Sequence, residues 1–159
     1  MSKIAIGLPA FNEGKNIASI ILQLKKKYEL IIVCDDGSDD LTASISEKMG
    51  AIVVKHKKNL GYGVAIRSLF SKARELECDI LVTFDSDGQH IVSEIENIIV
   101  PIQKNEADMV IGSRFLGTIE GKIPSYRKMG IKAITNLVNS NTGKKITDSQ
   151  SGFRAYNKI

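Results

Sequence analysis

The sequence predicts an α/β domain: a mostly parallel, Rossmann-like sheet with helices packed on its faces. Short apolar, β-branched runs alternate with longer stretches of helical period, which is the pattern of βαβ units. Polar loops rich in carboxylates follow several of the runs, where a parallel sheet places its ligand crevice. At 159 residues, with 43% hydrophobic and 25% charged side chains, the chain has the size and balance of one domain with a real core.

Ile4–Leu8 is the first predicted strand, and Asn16–Tyr28 follows as a helix with apolar residues at three and four spacing. Leu30–Cys34 reads as the second strand. Leu41–Met49 reads as the second helix, with Gly50 as its stop. Ala51–Lys55 and Tyr62–Leu76 form the next strand and helix, and Ile80–Phe84 the fourth strand. Val92–Lys104 has helical period, but Pro101 lacks an N–H, so a kink or early end is expected there. Met109–Gly112 is the fifth strand and Tyr126–Val138 a further helix. Neither a repeat nor a flexible linker divides the chain, so 1–159 is expected to be one catalytic core. Asp148–Ile159 lacks capping signals and is expected to be a truncated piece of something longer.

The 22 Lys and Arg against 18 Asp and Glu give a net charge of +4. These cations are scattered, so they permit contact with phosphates or an anionic membrane surface without specifying it, and no nucleic-acid partner is expected. Cys34 and Cys78 belong to no metal-ligand or redox spacing and lie in or beside apolar runs, which predicts buried thiols in a reducing cytoplasm. No apolar run approaches the ~18 residues that cross a bilayer.

Two loops carry unusual chemistry. After the second strand comes Asp35-Asp36-Gly37-Ser38-Asp39-Asp40. Helix capping accounts for Asp39 and Asp40 but leaves Asp35 and Asp36 unexplained. Adjacent carboxylates at a strand end could instead accept hydrogen bonds from a base N–H or ribose hydroxyls. After the fourth strand comes Asp85-Ser86-Asp87-Gly88-Gln89-His90. Asp85 and Asp87 suit a hard cation, Mg²⁺ or Mn²⁺, which binds one or two carboxylates together with substrate phosphates, with Gln89 or His90 completing the shell. A polar turn of exposed acids is the competing explanation. An EF-hand fails because His90 stands where glycine is required. A phosphatase with Asp85 as nucleophile stays open, although only scattered acids follow Asp87. Asn59-Leu60-Gly61-Tyr62-Gly63-Val64-Ala65 is a poor dinucleotide fingerprint, since Ile66 replaces its third glycine.

Taken in order, Pro9–Glu13, Asp35–Ser38, Asn59–Ala65, Asp85–His90, Gly112–Phe115 and Ser151–Arg154 resemble the motif series of the inverting family 2 glycosyltransferases. The resemblance is nearest to dolichol-phosphate mannosyltransferases and related polyprenyl-phosphate hexose transferases. It implies a GT-A fold in which Pro9, Glu13 and Asp36 hold the nucleoside, with Asp35 a neighbouring candidate. Phe11, Gly63 and Ser86, inside the same motifs, join the expected donor contacts. Asp85, Asp87 and Gln89 would gather the metal and diphosphate, while Arg114, Arg127 and Arg154 would bind donor or lipid phosphates in bidentate fashion.

The expected catalytic residues are Asp87, Arg114 and Asp148, the last to orient or deprotonate the acceptor. The expected donor is a nucleotide-sugar of the GDP-mannose or UDP-glucose type. The expected acceptor is a polyprenyl or dolichyl phosphate at the cytoplasmic membrane face. Two departures stand out: Leu41 occupies a position often small or polar, and the chain stops at Ile159. A donor-binding core inactive without a missing segment is therefore the alternative from a binding class.

Overall fold

The computed structural model describes residues 2–85, 92–116, 125–143 and 145–157. They form a six-stranded sheet in the order β3-β2-β1-β4-β6-β5, with β1 Ile4–Ala10, β2 Leu30–Asp35, β3 Ile52–Lys55, β4 Ile80–Thr83, β5 Met109–Ile111 and β6 Arg154–Asn157. β1 to β4 run parallel, and β6 is antiparallel to both β4 and β5. The helices are α1 Ile17–Lys25, α2 Thr42–Lys48, α3 Tyr62–Glu75, α4 Ile95–Gln103 and α5 Ser125–Thr142, with a 3-10 turn at Val92–Glu94.

The parallel strands are buried on both faces, which is why they read as unbroken apolar runs rather than alternating ones. On one face, Ile17, Ile21 and Leu24 of α1 and Ile95, Ile99 and Ile102 of α4 cover Ile6, Leu8, Ile31 and Val33. On the other, Ala65, Leu69 and Ala73 of α3 cover Ala5, Ile32 and Leu81. The chain moves outward from β1 to β3 and then returns to the opposite side of β1 with β4. That reversal is a topological switch point, and it opens a crevice at the carboxyl ends of β1 and β4.

Three expectations need correction. β1 extends two residues beyond the predicted Leu8 and takes in Pro9. Gly7 accepts the amide of Phe84, so odd residues of β1 face β4. The ladder with β4 has ended at Gly7–Thr83, so the N–H that Pro9 lacks would have met no partner there. Second, α4 passes through Pro101 and continues two residues to Gln103. Third, no strand was expected after Met109–Gly112, yet Arg154–Asn157 supplies β6, which pairs with β4 and β5 and fills the gap between them. Both cysteines are buried and free, and burial followed by the Asp36 charge pushes the Cys34 thiol up to about 11.

Candidate active site

The crevice edge is built from the turns that follow β1 and β2, cross-linked by side chains. Asn12 donates its amide to Ser38 Oγ at 2.9 Å and accepts the Asp39 amide on Oδ1 at 3.0 Å. Asp40 takes the Gly14 and Thr42 amides, each at 2.9 Å, so it ties the first loop to the start of α2, although Leu41 and not the expected Asp39 or Asp40 is the N-cap. Glu13 donates its amide to Thr42 Oγ1, and its carboxylate accepts Asn16 Nδ2 at 3.0 Å. Phe11 stands exposed beside them. Leu41 is tolerated at its unusual position because its side chain faces water.

Asp35 and Asp36 are both buried but differ in role. The Asp36 carboxylate accepts His56 Nδ1 at 2.6 Å and the amides of Leu60 and Gly61 at 3.0 and 2.8 Å. Burial raises its pKa, yet the His56 and amide hydrogen bonds outweigh this and hold it below the usual carboxylate range. Asp36 is therefore the anchor of the turn that launches α3, and the nucleoside role expected of it stays a proposal. His56 continues inward to Ser68 Oγ at 2.8 Å. Asp35, in contrast, receives the Ser38 amide on Oδ1 at 3.3 Å, while its Oδ2 is buried with no hydrogen-bond partner among the described residues.

Asp85 follows β4 directly and accepts the Tyr62 hydroxyl at 3.3 Å. Burial and the Asp85 charge raise the Tyr62 phenol above its ordinary pKa, which keeps it a donor. A side chain at Gly152 would put its Cβ 2.4 Å from Asp85 Oδ2 and 2.6 Å from the Tyr62 hydroxyl, so only glycine lets this loop approach. Tyr62, Thr83, Asp85, Gly152 and Arg154 line a cavity of about 410 Å³. Gly63 lies on α3 with open space above its Cα. Ser86, Asp87, Gln89 and His90 lie outside the described residues, as does the side chain of Arg127. Asp85 alone, a hard oxygen donor at the mouth of the crevice, therefore tests the metal expectation here, and its chemistry fits Mg²⁺ or Mn²⁺.

Asp148 is fully buried and grips Arg114 in a fork, Nε to Oδ2 at 2.8 Å and Nη2 to Oδ1 at 3.0 Å. The amides of Arg114 and Gln150 add two more bonds. Burial pushes its pKa up, but these donors, led by the Arg114 guanidinium, bring it below the ordinary range. A carboxylate so satisfied is a poor proton acceptor, and of the two roles expected for it, orienting suits these contacts better than deprotonating. Arg114, whose side chain is 27% exposed, is instead held in one orientation. Arg154 donates Nε to the Ser151 carbonyl at 2.7 Å and Nη2 to the Ser149 carbonyl at 2.8 Å, so it clasps its own loop while it lines the cavity.

The His56 and Tyr62 contacts and the need for glycine at position 152 were not anticipated. His56, polar and one residue past a strand, was the available signal for the first; nothing local marked the other two.

The family model described as glycosyl transferase family 2 matches residues 5–158. A UDP-N-acetylglucosamine–dolichyl-phosphate N-acetylglucosaminyltransferase of Methanococcus voltae is 36% identical over 95% of this chain and 68% of its own length. A dolichyl-phosphate hexose transferase of Haloferax volcanii is 30% identical over 98% of the chain and 66% of its own. Among solved structures, glucosyl-3-phosphoglycerate synthase from Mycobacterium tuberculosis with Mn²⁺ and UDP-glucose superposes with a TM-score of 0.70 at 25% identity. That match covers 98% of this chain and 56% of the other, and it places the fold in the GT-A class. The chain thus spans about two thirds of these curated relatives and little over half of the solved one.

Proposed function

This chain belongs to glycosyl transferase family 2, and from that premise we propose that it serves transfer of a sugar from a uridine diphosphate donor to a polyprenyl or dolichyl phosphate, with inversion. The observation that carries the reading is the placement of Asp35 and Asp85 at the carboxyl ends of β2 and β4, on either side of the β1 terminus. The buried Asp35 Oδ2, without a donor among the described residues, suits an N–H or hydroxyl of a nucleoside, since leaving it unmatched costs about 1–3 kcal/mol. Two relatives whose printed names carry uridine donors favour that base.

Asp85, with Asp87 and Gln89, would hold Mg²⁺ or Mn²⁺, which when bound neutralises the departing diphosphate. Tyr62 orients Asp85 by donating its hydroxyl, and Gly152 keeps the space above that pair clear. Arg114, fixed by Asp148, presents a planar cation suited to the acceptor phosphate. A phosphate oxygen of the acceptor attacks the anomeric carbon and forms the new C–O bond. The bond to the diphosphate breaks, and its electron pair leaves on the nucleotide. One displacement gives inversion, and an acceptor already ionised needs no base, in keeping with an Asp148 committed to Arg114.

Calorimetric titration with UDP-glucose, UDP, GDP-mannose and GDP, with and without Mn²⁺, tests the proposal. We expect Mn²⁺-dependent binding of the uridine pair, weakened at least about tenfold in Asp85→Asn, one charged contact's worth. Preference for the guanosine pair would reassign the base. Binding of none of the four, or binding untouched in Asp85→Asn, would remove the donor site from this crevice.

A further inference from the structure

We propose that His56 is a positioning residue for Asp85, acting through Asp36, the turn at 59–61 and Tyr62. It stands one residue past β3 with its side chain only 10% exposed, and no step of the transfer uses it. Both of its ring nitrogens are engaged. Nδ1 meets Asp36 Oδ1 at 2.6 Å, and Nε2 meets the Ser68 hydroxyl at 2.8 Å. A ring nitrogen that faces a carboxylate carries the proton, so Nδ1 donates to Asp36 and the second nitrogen is left for Ser68. The imidazole thereby bridges the end of β2 and the body of α3.

What hangs from Asp36 makes this more than a satisfied core histidine. α3 opens at Gly61, whose φ of +93° suits glycine and which brings no side chain to cap the helix. Asp36 supplies the missing acceptor from another element. It takes the amides of Leu60 and Gly61 at 3.0 and 2.8 Å and sets its negative charge at the positive end of the helix. The main chain on which it stands is fixed independently of the imidazole. The Asp36 amide donates to the Ala10 carbonyl at 2.8 Å, and the His56 amide donates to the Asp35 carbonyl at 2.9 Å whatever side chain position 56 carries. Only the carboxylate is left to turn about its own bonds, and the imidazole removes that freedom.

Tyr62 is the next residue and has little else to hold it. It begins α3 and is 53% exposed, whereas the first fully buried residue of the helix is Ala65. Its hydroxyl donates to Asp85 at 3.3 Å, long enough that a small shift would break the bond. A turn that slackens at Leu60 and Gly61 therefore takes the phenol away from Asp85. The consequence for a metal and diphosphate rests on the reading of Asp85 given above.

Two side-chain amides separate the two ends of the ring. His56→Asn puts an N–H about where Nδ1 stands and keeps the bond to Asp36, while His56→Gln offers one only towards Ser68. Calorimetry with UDP and Mn²⁺, at a temperature where melts show every variant folded, reads the effect. His56→Gln should weaken Mn²⁺-dependent UDP binding about tenfold, the worth of one charged hydrogen bond. His56→Asn and Ser68→Ala should stay within about twofold of the parent. In a Tyr62→Phe background His56→Gln should add less than about twofold, because the hydroxyl through which it acts is already gone. Without any ligand, amide exchange at Leu60 and Gly61 should quicken about tenfold in His56→Gln and hold in His56→Asn. Equal losses in the two variants, or losses that multiply in full with Tyr62→Phe, would show that the histidine only fills its place and would overturn the proposal. Weakened binding or quickened exchange in His56→Asn would overturn it alone, even if His56→Gln did not fold. A parent that binds no UDP would sink the transferase reading instead, and the exchange rates would still decide whether His56 holds the turn.

Discussion

Burying a carboxylate raises its pKa, and at Asp148 this is outweighed by a guanidinium fork and two amides. Because the folded-state pKa lies below the unfolded value near ~3.9, the group stabilises the fold fully above that value. Its contribution is lost as pH falls through the depressed folded pKa. Asp148→Asn should therefore cost about 2–4 kcal/mol near neutrality, and the difference from the parent should shrink towards acid. Urea unfolding from pH 7 down to pH 3 measures this, and a constant gap across the range would show that charge pairing is not the cause. Gly152→Ala makes a different kind of fault. Its Cβ meets Asp85 and Tyr62 rather than backbone, so the fold should survive while the carboxylate is displaced. We expect a melting temperature near that of the parent, with Mn²⁺-dependent UDP binding weakened at least about tenfold, roughly 1.4 kcal/mol.

Loops here act as interlocked elements. Gly37 has φ +75°, and a Cβ there would lie 2.3 Å from the Lys58 carbonyl carbon, so the turn after β2 is stacked on the turn after β3. Backbone cannot swing aside as a side chain can. Gly37→Ala should therefore destabilise by about 2 kcal/mol or more, combining left-handed strain with a forced shift of the Asp36-anchored turn. Chemical denaturation reads this directly, and a change below about 0.5 kcal/mol would mean the two turns move independently. The strands and helices were legible to within a few residues because burial on both faces leaves uninterrupted apolar runs, while covering helices keep a 3.6 period. β6 was not legible. Arg154-Ala155-Tyr156-Asn157 is too short and mixed to declare a strand, and it is one only because β4 and β5 leave a lane for it. Pro9 joins β1 because the ladder on the β4 side has already ended, so its missing N–H forgoes no bond.

At the scale of the molecule, the sheet explains which parts of the site could be read in advance. Asp35 and Asp85 were identifiable because the carboxyl end of a parallel strand is a position that sequence reveals. Which carboxylates are free to meet a ligand was not. That depends on partners such as His56 for Asp36 and Arg114 for Asp148, separated by 20 and 34 residues and brought together only by the fold. The crevice lies within the span that the family model matches, so donor binding should be a property of these 159 residues and should stabilise them as a unit. A uridine diphosphate sugar at about 100 times its Kd, with Mn²⁺, would add about 2.7 kcal/mol. For a chain of this size that corresponds to a rise in melting temperature of roughly 5–10 °C. Chelating the metal should abolish the rise if Asp85 and its neighbours bind the diphosphate through a cation. A rise that survives chelation would leave the nucleoside contacts at Asp35 standing and remove the metal. No rise with any nucleotide would show that the donor pocket needs chain beyond these residues, or is not a donor pocket.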